Sequence, residues 1–339
     1  MKGNIPDHGD NEEILGVSVI ICCYNSTSRL PRTLDHLAKQ DVPKDFNWEI
    51  ILVNNASTDE TVNCAKEVWR QYGALQNVLN IIDENTPGQM YARRTGAKAA
   101  RYNYLIFCDD DNLLGKNYVA NSIEFMTRDK SIGAVGGQNF PVTDAVGYPA
   151  WFEEYKDKYA TGVPAKQSGD VTYRGFILGA GLVTRKELFL EVFDKQYPSL
   201  LNGRNGEKLS TGDDFEYCKR LILWGYKLFY DERLLLDHFI PKERLTIDYR
   251  ERLMVGIHDA GKVLSEYDRC LQILNKNRNK SRIRLLIVTP LRIFLIKLKL
   301  SKRNLENERL TLFYLSPIKA YSNDIQSCIK NFLNGYRFN

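Results

Sequence analysis

Residues 104–112 read Tyr-Leu-Ile-Phe-Cys-Asp-Asp-Asp-Asn. The uninterrupted apolar run is the signature of a strand covered on both faces, as in a parallel sheet. Three carboxylates, Asp109, Asp110 and Asp111, follow it directly. Clustered negative charge is unfavourable unless a cation offsets it. Hard carboxylate oxygens suit Mg2+ or Mn2+, which complete their shell with phosphate oxygens. Taken alone, the same three residues also read as a solvated acidic turn.

The surrounding sequence repeats the pattern. Residues 17–23 (VSVIICC) and 49–53 (EIILV) are further buried strands, and a third is expected near 78–82. Between them, Leu30, Leu34, Leu37 and Ala38 recur at helical spacing, as do Val62, Ala65, Trp69 and Tyr72. Ser57 and Glu60 have the spacing of a capping box for the second helix. Residues 88–100 are helical in composition. Strands alternating with helices predict an α/β fold with a mostly parallel sheet and helices on both faces. In such sheets ligands sit beyond the carboxyl ends of the strands. The strands here end in Tyr24-Asn25, Asn54-Asn55 and Asp109-Asp110-Asp111, which should therefore converge on one crevice.

Residues 136–181 are rich in Gly, Pro and aromatic side chains and read as a substrate-shaped surface rather than a regular core. Gly179-Ala180-Gly181 is expected to turn tightly before a helix at Lys186, and residues 212–224 to form a helix closed by Gly225. A strand is expected near 227–230. Residues 249–274 read as one amphipathic helix. Residues 284–300 (RLLIVTPLRIFLIKLKL) are apolar but interrupted by Pro290, Arg292, Lys297 and Lys299. They are too short and too charged for a spanning helix and fit an interfacial one.

The 339 residues, 43% hydrophobic and 26% charged, are enough for a full core. Seven cysteines with no CxxC pair indicate a reducing compartment and no disulfide framework. The polar start, 1–14, lacks the apolar run of a signal peptide. The net charge of +5 is unevenly placed, with eleven Lys/Arg against three Asp/Glu in residues 282–339. A basic tail on a mildly acidic body points to an anionic partner, a membrane surface rather than nucleic acid. No zinc-ligand spacing, Walker sequence or Gly-x-Gly-x-x-Gly is present.

Five pieces occur in order: SVIICCYN, ILVNNASTDE, NTPGQMYARRTGAKAA, YLIFCDDDN and STGDDFEYCKRL. Together they resemble family 2 of the inverting glycosyltransferases, which use the GT-A nucleotide-sugar-binding fold. The resemblance covers residues 15–245, leaving an amphipathic helix in 246–281 and a basic, apolar segment in 282–339. It implies a nucleoside-diphosphate sugar donor, an Mn2+ or Mg2+ cofactor, and a glycan or lipid-linked saccharide acceptor on the cytoplasmic side of a membrane. Tyr24 would pack on the base and Asn55 would meet its edge. The family often has an Asp in the Asn54-Asn55 pair, so the identity of the base stays open. Arg93 would meet the donor's base or phosphate. Asp111 would bind metal, while Asp109 and Asp110 would divide ribose and metal between them in an order the motif leaves open. His238 would help hold the metal or diphosphate. Asp213-Asp214 stands where Glu-Asp is usual, with Asp214 as general base. A nucleotidyltransferase would carry a Gly-rich basic loop after the first strand, where this chain has Cys23-Tyr24-Asn25-Ser26-Thr27. The intact carboxylates argue against a non-catalytic relative. The basic segment would lie on an anionic membrane surface or pack on the catalytic domain.

Overall fold

The computed structural model of the chain describes residues 15–204, 209–322 and 324–338. The polar 1–14 tail lies outside them. The chain begins with β1 (Val17–Cys23), α1 (Leu30–Ala38), β2 (Trp48–Asn55), α2 (Thr61–Arg70), β3 (Leu79–Glu84), α3 (Gln89–Ala99) and β4 (Tyr104–Asp109). β5 (Asn112–Leu114), α4 (Tyr118–Asn121), α5 (Glu124–Arg128) and β6 (Ile132–Val142) follow. Next come α6 (Phe152–Tyr155), β7 (Gly169–Asp170), β8 (Val183–Arg185), α7 (Lys186–Val192), α8 (Asp213–Leu223) and β9 (Lys227–Phe239). The chain closes with α9 (Ile247–Asn277), α10 (Arg282–Lys297), α11 (Leu305–Leu315) and α12 (Ile325–Phe338).

The nine strands form one sheet in the order β3-β2-β1-β4-β8-β6-β9-β5, with β7 beside β9. β1, β2, β3 and β4 pair in parallel, as do β6 and β9. β8 is antiparallel to both β4 and β6, so the sheet is mixed at its centre. β8 was not legible in the sequence: its three residues (VTR) carry no periodic signal, and it exists because both its edges find partners. The apolar strands bury both faces. Ile20, Ile51 and Phe107 pack under α3, α7 and α8, while Val19, Ile21 and Ile106 pack under α1 and α2.

Two local expectations change. The Ser57–Glu60 capping box does not form. Asp59 instead accepts the Thr61 N–H at 3.1 Å, and Ser57 accepts the Asn25 N–H, tying the end of β1 to the β2–α2 loop. The aromatic stretch is partly core. Phe152 and Tyr159 are buried with Ile240, Leu245, Tyr249 and Leu253, while Phe140, Tyr148 and Tyr173 remain exposed.

Much of the C-terminal segment packs on the catalytic domain. α11 and α12 pack on the body: Tyr314, Ile329, Phe332 and Leu333 are buried in the same cluster as Phe107 and Tyr217. Phe332 stacks on Trp224, with ring centroids 4.7 Å apart. α10 alone leaves an apolar side uncovered. No described helix is long and apolar enough to cross a membrane.

Candidate active site

The carboxyl ends of β1, β2 and β4 converge as the strand pattern requires. β5 pairs antiparallel with β9, setting Asn112 opposite His238. The Phe239 N–H donates to the Asp111 carbonyl at 2.9 Å. This register brings residues 127 positions apart in the sequence, Asp111 and His238, to 3.4 Å between Oδ1 and Nε2. Arg244, on the turn after β9, donates to the other Asp111 oxygen at 2.6 Å. Burial pushes the Asp111 carboxyl up, but the His238 ring and the Arg244 guanidinium outweigh it and hold the group well below the usual carboxylate range.

The three aspartates separate by environment. Asp110 is buried, accepts from Ser26 Oγ, and pairs with Arg29 at 2.5 Å. Burial and the neighbouring Asp111 push its carboxyl up, against the pull of Arg29. It therefore braces the β1–α1 turn, with both oxygens engaged by the chain. Asp109 is half-buried and accepts from Gln89 Nε2 at 2.8 Å. Of the two, Asp109 faces the crevice. Arg29, Gln89 and Arg244 had no signal in the sequence, because each reaches its partner through loop geometry rather than spacing.

Arg93 stands between the strand ends and α8. It is 5% exposed, bonds Asp213 at 2.7 Å, and stands 3.6 Å from Asp109. It is a clamp between the strand-end carboxylates and the start of α8. Asn55 is likewise engaged: its amide donates to the carbonyls of Glu84 and Thr86, and its oxygen accepts from the Gly88 N–H. The sequence-based expectation placed both residues on the donor. In the structure both make contacts within the chain that hold the strand ends, α8 and the 84–88 loop together. Tyr24, 44% exposed at the end of β1, is free to stack on a planar ligand.

α8 presents the acidic pair. Its N-cap, Gly212, has φ of +93°, a conformation that favours glycine. The turn that Gly212 permits sends Asp213 inward to Arg93 and Asp214 toward Gly179. Asp214 is partly exposed and accepts the Gly179 N–H at 2.7 Å. Burial first, then the charge of Asp213, pushes its carboxyl up to about 7. A carboxylate poised near neutral pH is suited to accepting a proton and releasing it.

Among the described residues no three His, Cys, Asp or Glu side chains gather as a ready-made metal cage. The pair of Asp111 and His238 nevertheless fits a cation. His238 Nδ1 lies 2.7 Å from the Tyr159 carbonyl, so that nitrogen must carry the hydrogen. The opposite nitrogen, Nε2, then faces the Asp111 carboxylate. A proton on Nε2 or a cation bound there offsets the carboxylate charge, and a carbonyl-anchored imidazole is the usual form of a metal-ligating histidine. Mg2+-type sites commonly take only one or two protein carboxylates, with ligand phosphates supplying further oxygens.

The sequence profile of glycosyl transferase family 2 matches residues 18–173. Residues 18–173 are a glycosyl transferase family 2 domain. The family domain ends before α8, so Asp213, Asp214 and His238 lie outside the matched span. Over 235 residues the chain is 23% identical to a Methanococcus voltae dolichyl N-acetyl-alpha-D-glucosaminyl phosphate 3-beta-D-2,3-diacetamido-2,3-dideoxy-beta-D-glucuronosyltransferase, covering 66% of each protein. Over 126 residues it is 27% identical to a Bacillus spizizenii poly(ribitol-phosphate) beta-glucosyltransferase, covering 36% of this chain and 19% of the relative. The chain thus spans less than two thirds of the length of these curated relatives. The fold resembles that of residues 1–349 of TarS from S. aureus, solved with UDP-GlcNAc. The TM-score is 0.51 at 17% identity, over 89% of this chain and 71% of that one. The family 2 domain therefore has the GT-A architecture, with α8, β9 and the C-terminal helices completing it.

Proposed function

We propose that the chain transfers a sugar from a nucleoside-diphosphate sugar to a hydroxyl of a glycan or lipid-linked saccharide, with inversion, in the synthesis of a cell-surface polysaccharide. The observation that carries this reading is that Arg93 joins the strand-end carboxylate Asp109, at 3.6 Å, to Asp213, at 2.7 Å, beside Asp214 at the start of α8. Asp111 is held ionised beside His238 and Arg244, while Asp214 is poised near neutrality.

In this reading Tyr24 stacks on the base and Asp109 meets the ribose. The acceptor hydroxyl attacks the anomeric carbon as Asp214 takes its proton, and the bond from that carbon to the diphosphate oxygen breaks with its electron pair. One displacement inverts the configuration. Asp111 and His238 would hold Mn2+ or Mg2+, which when bound supplies charge neutralisation to a diphosphate. Arg244 holds Asp111 in place, and Arg93 fixes α8 so that Asp214 faces the crevice.

A thermal-shift screen of UDP-, GDP- and dTDP-sugars with Mn2+ tests the donor class, because a ligand that binds only the folded state raises apparent stability. A shift confined to one nucleotide identifies the base. No shift with any of them removes the proposal.

A further inference from the structure

α10 carries apolar side chains on two sides, yet only one of them is covered. Leu285 and Thr289 are buried, and the helix packs against α11. On the other side Ile283, Ile287, Leu291, Phe294 and Leu298 are 73, 70, 57, 56 and 52% exposed. Their spacing of four, four, three and four places them in one stripe. An exposed apolar stripe of this extent marks a contact surface, and nothing among the described residues covers it.

The charge around the stripe identifies the occupant. Between Asp268 and Glu306 the sequence has eleven Lys/Arg and no Asp or Glu. Arg292 and Arg303 pair with Glu308, and Arg269 pairs with Glu306. Arg284, Lys297, Lys299 and Lys302 are exposed, with no acidic partner among the described residues. We propose that α10 lies in the interface of an anionic lipid bilayer, with the stripe among the acyl chains and these four cations at the headgroups. The helix is 16 residues long, roughly 24 Å at 1.5 Å per residue. It is short of a hydrocarbon core of about 30 Å and lies along the surface rather than across it. A symmetric contact with a second copy would bring like charges together, because an isologous interface sets the same patch against itself. The proposal stands apart from the transfer reaction, since no residue of α10 belongs to the crevice.

Flotation of the full chain with vesicles of phosphatidylcholine, alone or mixed with phosphatidylglycerol, tests it. The chain floats with the anionic vesicles and is released by high salt. Ile287→Ser/Leu291→Ser/Phe294→Ser lowers partition by about 1000-fold, each side chain contributing roughly tenfold. Lys297→Gln/Lys299→Gln/Lys302→Gln lowers it on anionic vesicles alone, at roughly fivefold per lysine. All six side chains are exposed or nearly so, and unchanged melting temperatures of both variants confirm that the fold is intact. The proposal is overturned if the chain does not float, if it floats equally with neutral vesicles, or if the serine variant floats as well as the parent. A concentration-dependent dimer that the serine variant dissolves would reassign the stripe to self-association.

Discussion

Replacing Arg93 with methionine tests whether the clamp beneath the crevice holds α8. Arg93 and Asp213 are each 5% exposed, and Arg93 Nη1 lies 2.7 Å from the carboxylate. Met keeps much of the aliphatic volume and removes the charge. Asp213 is then buried beside Asp109 and Glu216, both of which disfavour its ionised form. Breaking a buried pair by removing one partner costs about 3–5 kcal/mol. For a chain of 339 residues, unfolding entropy is roughly 0.7 kcal/mol per kelvin, so the melting temperature falls by about 4–7 °C. The loss depends on pH in a definite sense. Burial already raises the Asp213 carboxyl, Arg93 holds it down, and removing Arg93 raises it further. An acid whose folded-state value is raised stabilises the fold below its ordinary range and loses that contribution as pH rises through the folded value. The gap between parent and variant therefore widens from pH 5 to pH 8. Adding Asp213→Asn removes the uncompensated charge and recovers most of the loss at pH 8, a coupling that a double-mutant cycle isolates. The assay is differential scanning calorimetry at both pH values. A single variant that melts with the parent at pH 8, or a double variant no more stable than the single one, would refute the clamp.

Other expectations follow from equally specific contacts. In Gly179→Ala the new Cβ would lie 2.9 Å from Asp214 Cβ and 3.0 Å from its carboxylate. Displacing the base lowers kcat by about 100-fold for a misplacement near 1 Å, while donor KM stays near that of the parent; an unchanged kcat would separate Gly179 from the reaction. Phe332→Ala removes a ring that is 1% exposed and stacked on Trp224. The expected loss is about 3–5 kcal/mol in chemical denaturation. A loss below about 1 kcal/mol would mean that α12 is not part of the core. By the same reasoning, deleting residues 282–339 destabilises the whole fold rather than merely detaching it from a surface.

The strands and the acidic motifs were legible because each carries its own signal. Uninterrupted apolar runs such as 104–108 admit few other readings, and Gly225 after a helical run marks a helix end, observed here with φ of +89°. The proximity of Asp111 to His238 was not legible. It is set by the pairing of a three-residue strand, β5, with the far end of β9, and short strands leave no pattern. Arg93 and Asn55 were singled out by the resemblance, yet their contacts were not legible. Their partners, Asp213 and the 84–88 loop, come from other parts of the chain. The tail read as a single basic, apolar segment, because composition cannot distinguish a face that meets the core from one that does not. Only the packing of α11 and α12 separates them from the bare side of α10.

The central claim is that Asp214 accepts the acceptor's proton during transfer from a nucleoside-diphosphate sugar. The measurement that tests it most directly is nucleoside-diphosphate release with Mn2+ from pH 5.5 to 9, for the parent and Asp214→Asn, using the donor found by thermal shift. The reaction needs the carboxylate in its ionised form, and that group sits at about 7. The parent rate should therefore rise with pH through neutrality and level off. The asparagine variant should bind donor as before, lose that pH dependence, and turn over about 10²–10⁴-fold more slowly. A folded variant that keeps the parent's rate and pH profile would contradict the assignment.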